Sequence, residues 1–75
     1  MKLSNLKQNQ KAVITQISIQ DTKIKRRICD LGLYSGEYVT LLKTSILKKT
    51  ILISIKNYTL CLQSKIADCI QVKVD

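Results

Sequence analysis

Residues 26–36 read RRICDLGLYSG, the end of a basic helix, a glycine stop, an apolar residue and a second glycine that opens a turn. Gly32 and Gly36 are the only glycines in the 75 residues, so the two residues free to take left-handed backbone sit at one junction. Upstream, residues 22–31 form one short predicted helix, which Asp21 or Thr22 can cap. Ile24, Ile28 and Leu31 fall at i, i+4 and i+7, a single apolar stripe. Lys23, Lys25, Arg26 and Arg27 take the remaining surface, and arginines near a helix end suit its macrodipole. Gly32 fits the left-handed residue past the helix end, which puts Leu33 where it can pack back on Ile28, as in a Schellman stop.

Strand patterns lie on both sides of this junction. Residues 1–9 are a polar lead-in with Leu3 and Leu6 as anchors. Residues 11–19, KAVITQISI, are β-branched, and their apolar phase switches from Ala12 and Ile14 to Ile17 and Ile19. A one-residue change of face predicts a bulge or a strong bend. After Gly36, strands are expected at 37–43, 50–56, 59–63 and 69–74. Ile51, Ile53 and Ile55 share one face, Leu60 and Leu62 point inward, and Cys61 points outward. Asn57-Tyr58 reads as a tight turn, with Asn57 the residue able to take positive φ. Residues 64–68 read as a turn or one helical turn. Five short strands and one helix predict a mainly β fold, a small closed barrel occupying residues 1–75 as one domain. Closure hides strand edges that so small a sheet could not otherwise protect.

With no Pro, Trp, Phe or His, the core falls to Ile, Val and Leu, with Tyr34, Tyr38 and Tyr58 as the only aromatics. The net charge of +8 is compatible with nucleic acid, an acidic protein surface or the anionic face of a membrane. Cys29, Cys61 and Cys69 are an odd number without a CxxC pair, which argues for reduced, buried thiols in a cytoplasmic protein. MKLSNLKQNQK carries no apolar run of the signal-peptide kind. No stretch approaches the ~20 apolar residues of a membrane span, so direct insertion in a membrane is not expected.

Enzymatic machinery is not readable. No histidine is present to act as base, the five acids are scattered, and neither standard phosphate-binding glycine loop occurs. No catalytic residue and no metal ligand set is therefore assigned. Without imidazole, a borderline divalent metal could be held only by a chance pairing such as Cys29 with Asp30 or Cys61 with Cys69.

The whole chain resembles the FeoA family, small accessory proteins of bacterial ferrous-iron uptake. The family junction Arg-Leu-x-x-Leu-Gly-hydrophobic-x-Pro-Gly is matched by Arg27, Ile28, Leu31, Gly32, Leu33 and Gly36. The family's closing pattern is matched by Leu62, Ala67, Ile70 and Val72, and its opening Ala-x-Ile-x-x-Ile by Ala12, Ile14 and Ile17. Ser35 replaces the family proline, Leu47-Lys48-Lys49-Thr50 replaces a Gly-Asp-Pro hairpin turn, Asn57 replaces a glycine and Gln63 an arginine. The resemblance implies an SH3-like barrel of about five strands with a helix inserted after the first. It implies a regulatory partner of FeoB, the membrane iron transporter with a cytosolic GTP-binding region. It also implies kinship with the C-terminal module of iron-dependent repressors.

Three uses of the chain are weighed. The first is protein binding through Arg26, Arg27, Leu33 and Tyr34, an aromatic and an apolar anchor beside arginines, with Gly32, Gly36 and Asn57 shaping the turns. Here the chain acts as a monomer or weak homo-oligomer without a cofactor. The second is a nucleic-acid-binding barrel using Lys23, Lys25, Arg26 and Arg27 with Tyr34 and Tyr38 as stacking platforms, although stable nucleic-acid binding is not expected. The third is a stand-alone relative of the repressor module. Fold alone does not choose among them.

Overall fold

The β-branched run forms strand β1 (Lys11–Ile17) in the computed structural model of the chain, which describes residues 1–74. Ala12 and Ile14 point into the core, and then the pairing with the last strand shifts register between Ile14 and Gln16. The predicted change of face is this bulge. Residue Thr15 is the extra residue, and the phase change lets Ile17 and Ile19 pack against the core again.

Helix α1 (Thr22–Asp30) follows, capped by Asp21, whose carboxylate accepts from the backbone N–H of Lys23 at 2.9 Å and of Ile24 at 3.3 Å. Strands β2 (Tyr38–Thr44), β3 (Thr50–Ile55) and β4 (Tyr58–Gln63), a single helical turn α2 (Ser64–Ala67) and strand β5 (Ile70–Val74) complete the chain. The strands form one antiparallel sheet in the order β4-β3-β2-β1-β5. Among the described residues no ladder joins β4 to β5, so the hydrogen-bonded sheet stays open where a closed barrel was expected. The chain crosses that seam as α2, which buries Ala67 and ties Ser64 N–H to the Lys49 carbonyl at 2.8 Å. A second register shift, between Leu41 and Lys43 of β2, accounts for the loose alternation of that strand.

Every strand sends aliphatic side chains into one core, joined by Ile28 of α1 and by Leu3 and Leu6 of the lead-in. The lead-in is held by a short 3-10 turn (Leu3–Asn5) and by a bridge from Lys2 to Gln71. Cys61 is exposed, as the outward phase expected of it in β4 requires, whereas Cys29 is exposed on α1 and Cys69 half-buried, so these two depart from the buried thiols expected. Tyr58 also moves: it opens β4 opposite Ile55, leaving Lys56-Asn57 as a two-residue turn. The left-handed residue there is Lys56 (φ +51°), not Asn57.

The two glycines mark the junction that holds α1 to the sheet. Gly32 (φ +101°) donates its N–H to the Cys29 carbonyl at 2.9 Å, and Leu33 donates to that of Ile28 at 3.1 Å, the paired bonds of a Schellman stop. The Leu33 side chain then enters the core beside Ile28. Tyr58 reaches across from β4 and donates its hydroxyl to the Leu31 carbonyl. A Cβ on residue 32 would lie 2.6 Å from that hydroxyl oxygen. Gly36 (φ +96°) stands third in the turn closed by Glu37 N–H on the Tyr34 carbonyl at 3.1 Å, where a type II turn needs positive φ. Ser35, in the second position favoured by proline, donates its hydroxyl to the Thr15 carbonyl at 3.0 Å, tying the turn to the bulge.

The two glycines therefore differ in what a side chain would meet. Gly36→Ala has open space around it and should cost about 1–2 kcal/mol of backbone strain in urea unfolding. Gly32→Ala adds the Tyr58 clash and should cost more. Its cost should fall when measured in a Tyr58→Phe background; an equal cost in both backgrounds would show that no clash exists there.

Candidate functional site: the surface around helix α1

Helix α1 touches the core through one side chain. Only Ile28 is buried, while Ile24 and Leu31 each keep 37% of their surface exposed. Nine residues present too short a face to cover the barrel, so a groove is left on each flank. The groove toward β4, about 440 Å³, is lined by Ile24 and Arg27 of the helix and Leu31 just past its end, with Leu60 and Ile66 opposite. The groove toward β1, about 310 Å³, is lined by Lys25 and Cys29 of the helix with Ile17, Tyr34 and Ser35.

The four residues predicted to meet a partner are dispersed by this geometry. Arg27 edges the β4 groove. Tyr34 belongs to the β1 groove. Arg26 lines neither and is exposed on the helix. Leu33 is wholly buried and cannot meet a partner, because the Schellman stop that places it beside Ile28 also turns it into the core. Leu31, which the periodicity assigned to the buried stripe, takes the exposed apolar position instead.

Tyr34 is held in place from β3–β4. Lys56 Nζ donates to its hydroxyl oxygen at 2.8 Å and lies 3.8 Å from Glu37 Oε2. The ammonium is 5.2 Å from the ring centroid and far closer to the hydroxyl, so the contact is an end-on hydrogen bond and not stacking on the ring face. This bond to Tyr34 is the main cause that raises the Lys56 pKa above 10.5, with Glu37 a smaller contributor. Tyr38 is likewise engaged by a cation of its own chain: Lys11 Nζ lies 5.0 Å from its ring centroid. Lys56 and Tyr58 were absent from the sequence-based site. The first sits in a turn and the second pairs across 27 residues to Leu31, so neither leaves a local pattern to read.

The remaining chemistry is sparse. Among the described residues no group of three or more Cys, Asp or Glu side chains is gathered as a metal site would require. Lys23, Lys25, Arg26 and Arg27 all stand in solvent. No helix in the described residues is long and apolar enough to cross a membrane. The arrangement offers shallow apolar grooves edged by cations, which suits binding of another molecule's side chains.

With this geometry in view, the comparisons are specific. The FeoA domain family model matches residues 1–74, and the chain belongs to that family. No curated protein matches the chain. The solution structure of the FeoA protein from Chlorobium tepidum is 30% identical, with a TM-score of 0.90 over 99% of this chain and 70% of that one. The FeoA of Stenotrophomonas maltophilia, solved with zinc and described as an SH3 domain protein proposed to activate ferrous iron transport, is 25% identical. Its TM-score is 0.80, over 97% of this chain and 89% of that one. A manganese-dependent transcriptional repressor shares the fold at 20% identity and a TM-score of 0.90. This chain covers 36% of the repressor's length, and 99% of this chain is matched.

The Lys56–Tyr34 bond has a defined pH dependence. A lysine whose folded pKa is raised above 10.5 contributes stability that is fully present below 10.5 and is lost as pH rises through the raised value. The stability difference between the wild type and Lys56→Gln should shrink in that alkaline window and stay constant between pH 6 and pH 9. A difference that instead changed across the neutral range would assign the effect to another group.

Proposed function

We propose that the chain is a binding module of ferrous-iron uptake that engages the cytosolic region of a FeoB-like transporter through the surface around α1. Membership of the FeoA domain family supplies the connection to iron transport. The observation that carries the site is the exposure of Ile24 and Leu31 beside Arg27, an apolar groove with a cationic edge. Exposed aliphatic residues at helical spacing next to arginine form the kind of groove that accepts an apolar segment of a partner. Tyr34, still 40% exposed while anchored by Lys56, offers a second contact that is already ordered and so loses little entropy on binding.

Nothing in the site points to bond-making chemistry, and the reading is of recognition in the cytoplasm without a cofactor. The excess of positive charge speeds encounter with an acidic partner surface near the membrane. Of the two stacking platforms of the nucleic-acid alternative, Tyr38 already has Lys11 Nζ of the same chain 5.0 Å from its ring centroid.

Calorimetric titration with the cytosolic region of the organism's transporter should give saturable binding that survives moderate salt. Arg26→Ala combined with Tyr34→Ala should weaken it by about tenfold or more while the domain stays folded, with only the small loss of stability that removing the Lys56–Tyr34 bond brings. Leu31→Ser should also weaken it, because Leu31 contributes an exposed wall of the groove. A folded Leu31→Ser protein that binds as the wild type would remove the β4 groove from the interface. Unchanged binding by the folded Arg26→Ala/Tyr34→Ala protein would remove the remainder of this surface.

A further inference from the structure

The loop between β2 and β3 puts hydrophobic residues where turn chemistry asks for polar ones. Lys48 N–H donates to the Ser45 carbonyl at 2.9 Å, so Ile46 and Leu47 are the two central residues of a β-turn. Gly, Pro, Asn, Asp and Ser dominate turns for steric and hydrogen-bonding reasons that neither residue satisfies. Ile46 is 98% exposed and Leu47 74%. The loop is nevertheless well built. Ser45 Oγ accepts from the N–H of Lys49 at 3.0 Å and of Thr50 at 3.2 Å. Lys48 takes left-handed backbone (φ +57°), and Ser64 Oγ donates to the Lys48 carbonyl at 2.6 Å. The two aliphatic side chains are thus presented by an ordered frame.

Lysines surround them. Lys43, Lys48 and Lys49 belong to the same hairpin, and Lys65 lines the cavity beside Lys48 and Lys49; all four are exposed. None lies within 4.0 Å of a carboxylate oxygen among the described residues. Asp68 borders the same cavity but accepts a hydrogen bond from the Ser4 hydroxyl.

We infer that this hairpin tip is a membrane-contact site, inserting Ile46 and Leu47 shallowly among anionic lipids while the lysines meet the headgroups. A convex pair of aliphatic side chains collared by lysines matches an interface of that layering, because lysine stems lie along apolar material while the ammonium stays wet. It matches a protein partner poorly: interface cores favour aromatic residues and arginine and are depleted of lysine. The tip lies at the opposite end of β3 from the Lys56–Tyr34 contact, about 20 Å away at the rise of a six-residue strand. It therefore leaves the α1 surface free and does not rest on the transporter reading.

The test uses phosphatidylglycerol-containing vesicles against pure phosphatidylcholine vesicles in a flotation assay. The wild type should bind the anionic vesicles and not the neutral ones. Ile46→Ser/Leu47→Ser should bind at least about tenfold more weakly with an unchanged melting temperature, since these side chains touch little of the protein. Lys48→Gln/Lys49→Gln should weaken binding and flatten its salt dependence. Because the chain has no tryptophan, Leu47→Trp gives a single reporter whose emission should shift to the blue on adding anionic vesicles. Equal binding by wild type and Ile46→Ser/Leu47→Ser would reduce the contact to charge alone and overturn the insertion. Failure of the wild type to bind anionic vesicles would overturn it too. A blue shift with the transporter's cytosolic region but none with vesicles would reassign the tip to a protein and overturn the lipid reading.

Discussion

The stop of helix α1 is the constraint on which the rest of the structure depends. Gly32 turns the chain left-handed, Leu33 closes back on Ile28, and the Tyr58 hydroxyl fastens the last helical carbonyl to β4. These contacts join the end of α1 to β4. Without them α1 would be held by Ile28 and its flanks alone, since the rest of its surface is polar or only half-covered. A nine-residue helix has little stability of its own and takes its order from packing. The small residue at position 32 is thus required twice, by backbone conformation and by the close approach of the Tyr58 oxygen.

A second junction keeps that helix in register with the sheet. The turn at Gly36 donates its N–H to the Ile14 carbonyl at 2.7 Å, and Ile14 donates to the Glu37 carbonyl at 2.8 Å. Ser35 adds its hydroxyl to the carbonyl of the bulged Thr15. The bulge in β1 and the turn before β2 are therefore one structural unit. Where proline would fix the backbone by its ring, serine fixes it through a hydrogen bond to the neighbouring strand.

The same economy of covering creates the surfaces available for recognition. A helix too short to close over its barrel leaves Ile24 and Leu31 partly in water, and the grooves beside it follow from that shortfall. At the far end of β3 a well-bonded loop holds Ile46 and Leu47 fully outside the core. In both places the apolar exposure belongs to ordered backbone.

Much of the fold was legible in local pattern. Two glycines in one stretch located the helix stop and the turn, a one-residue change of phase in 11–19 located the bulge, and the Ile51, Ile53, Ile55 alternation located strand β3. Each is a short-range signal set by backbone geometry and side-chain period, which a sequence carries directly. The family resemblance shares with these signals the glycine junction and the run of Ala12, Ile14 and Ile17. Four features were decided only by the tertiary structure. Leu31 shares the helical period of Ile24 and Ile28 yet stays exposed, because how far an apolar stripe is covered depends on the strands packed against it. Lys56 takes the left-handed position beside Asn57, and its side chain meets Tyr34 and Glu37, partners about 20 residues away that no local turn pattern contains. Tyr58 matters through a bond to Leu31 that no spacing announces. The seam between β4 and β5 is bridged by α2 instead of a ladder, because strand closure is a property of the whole sheet and not of any one segment.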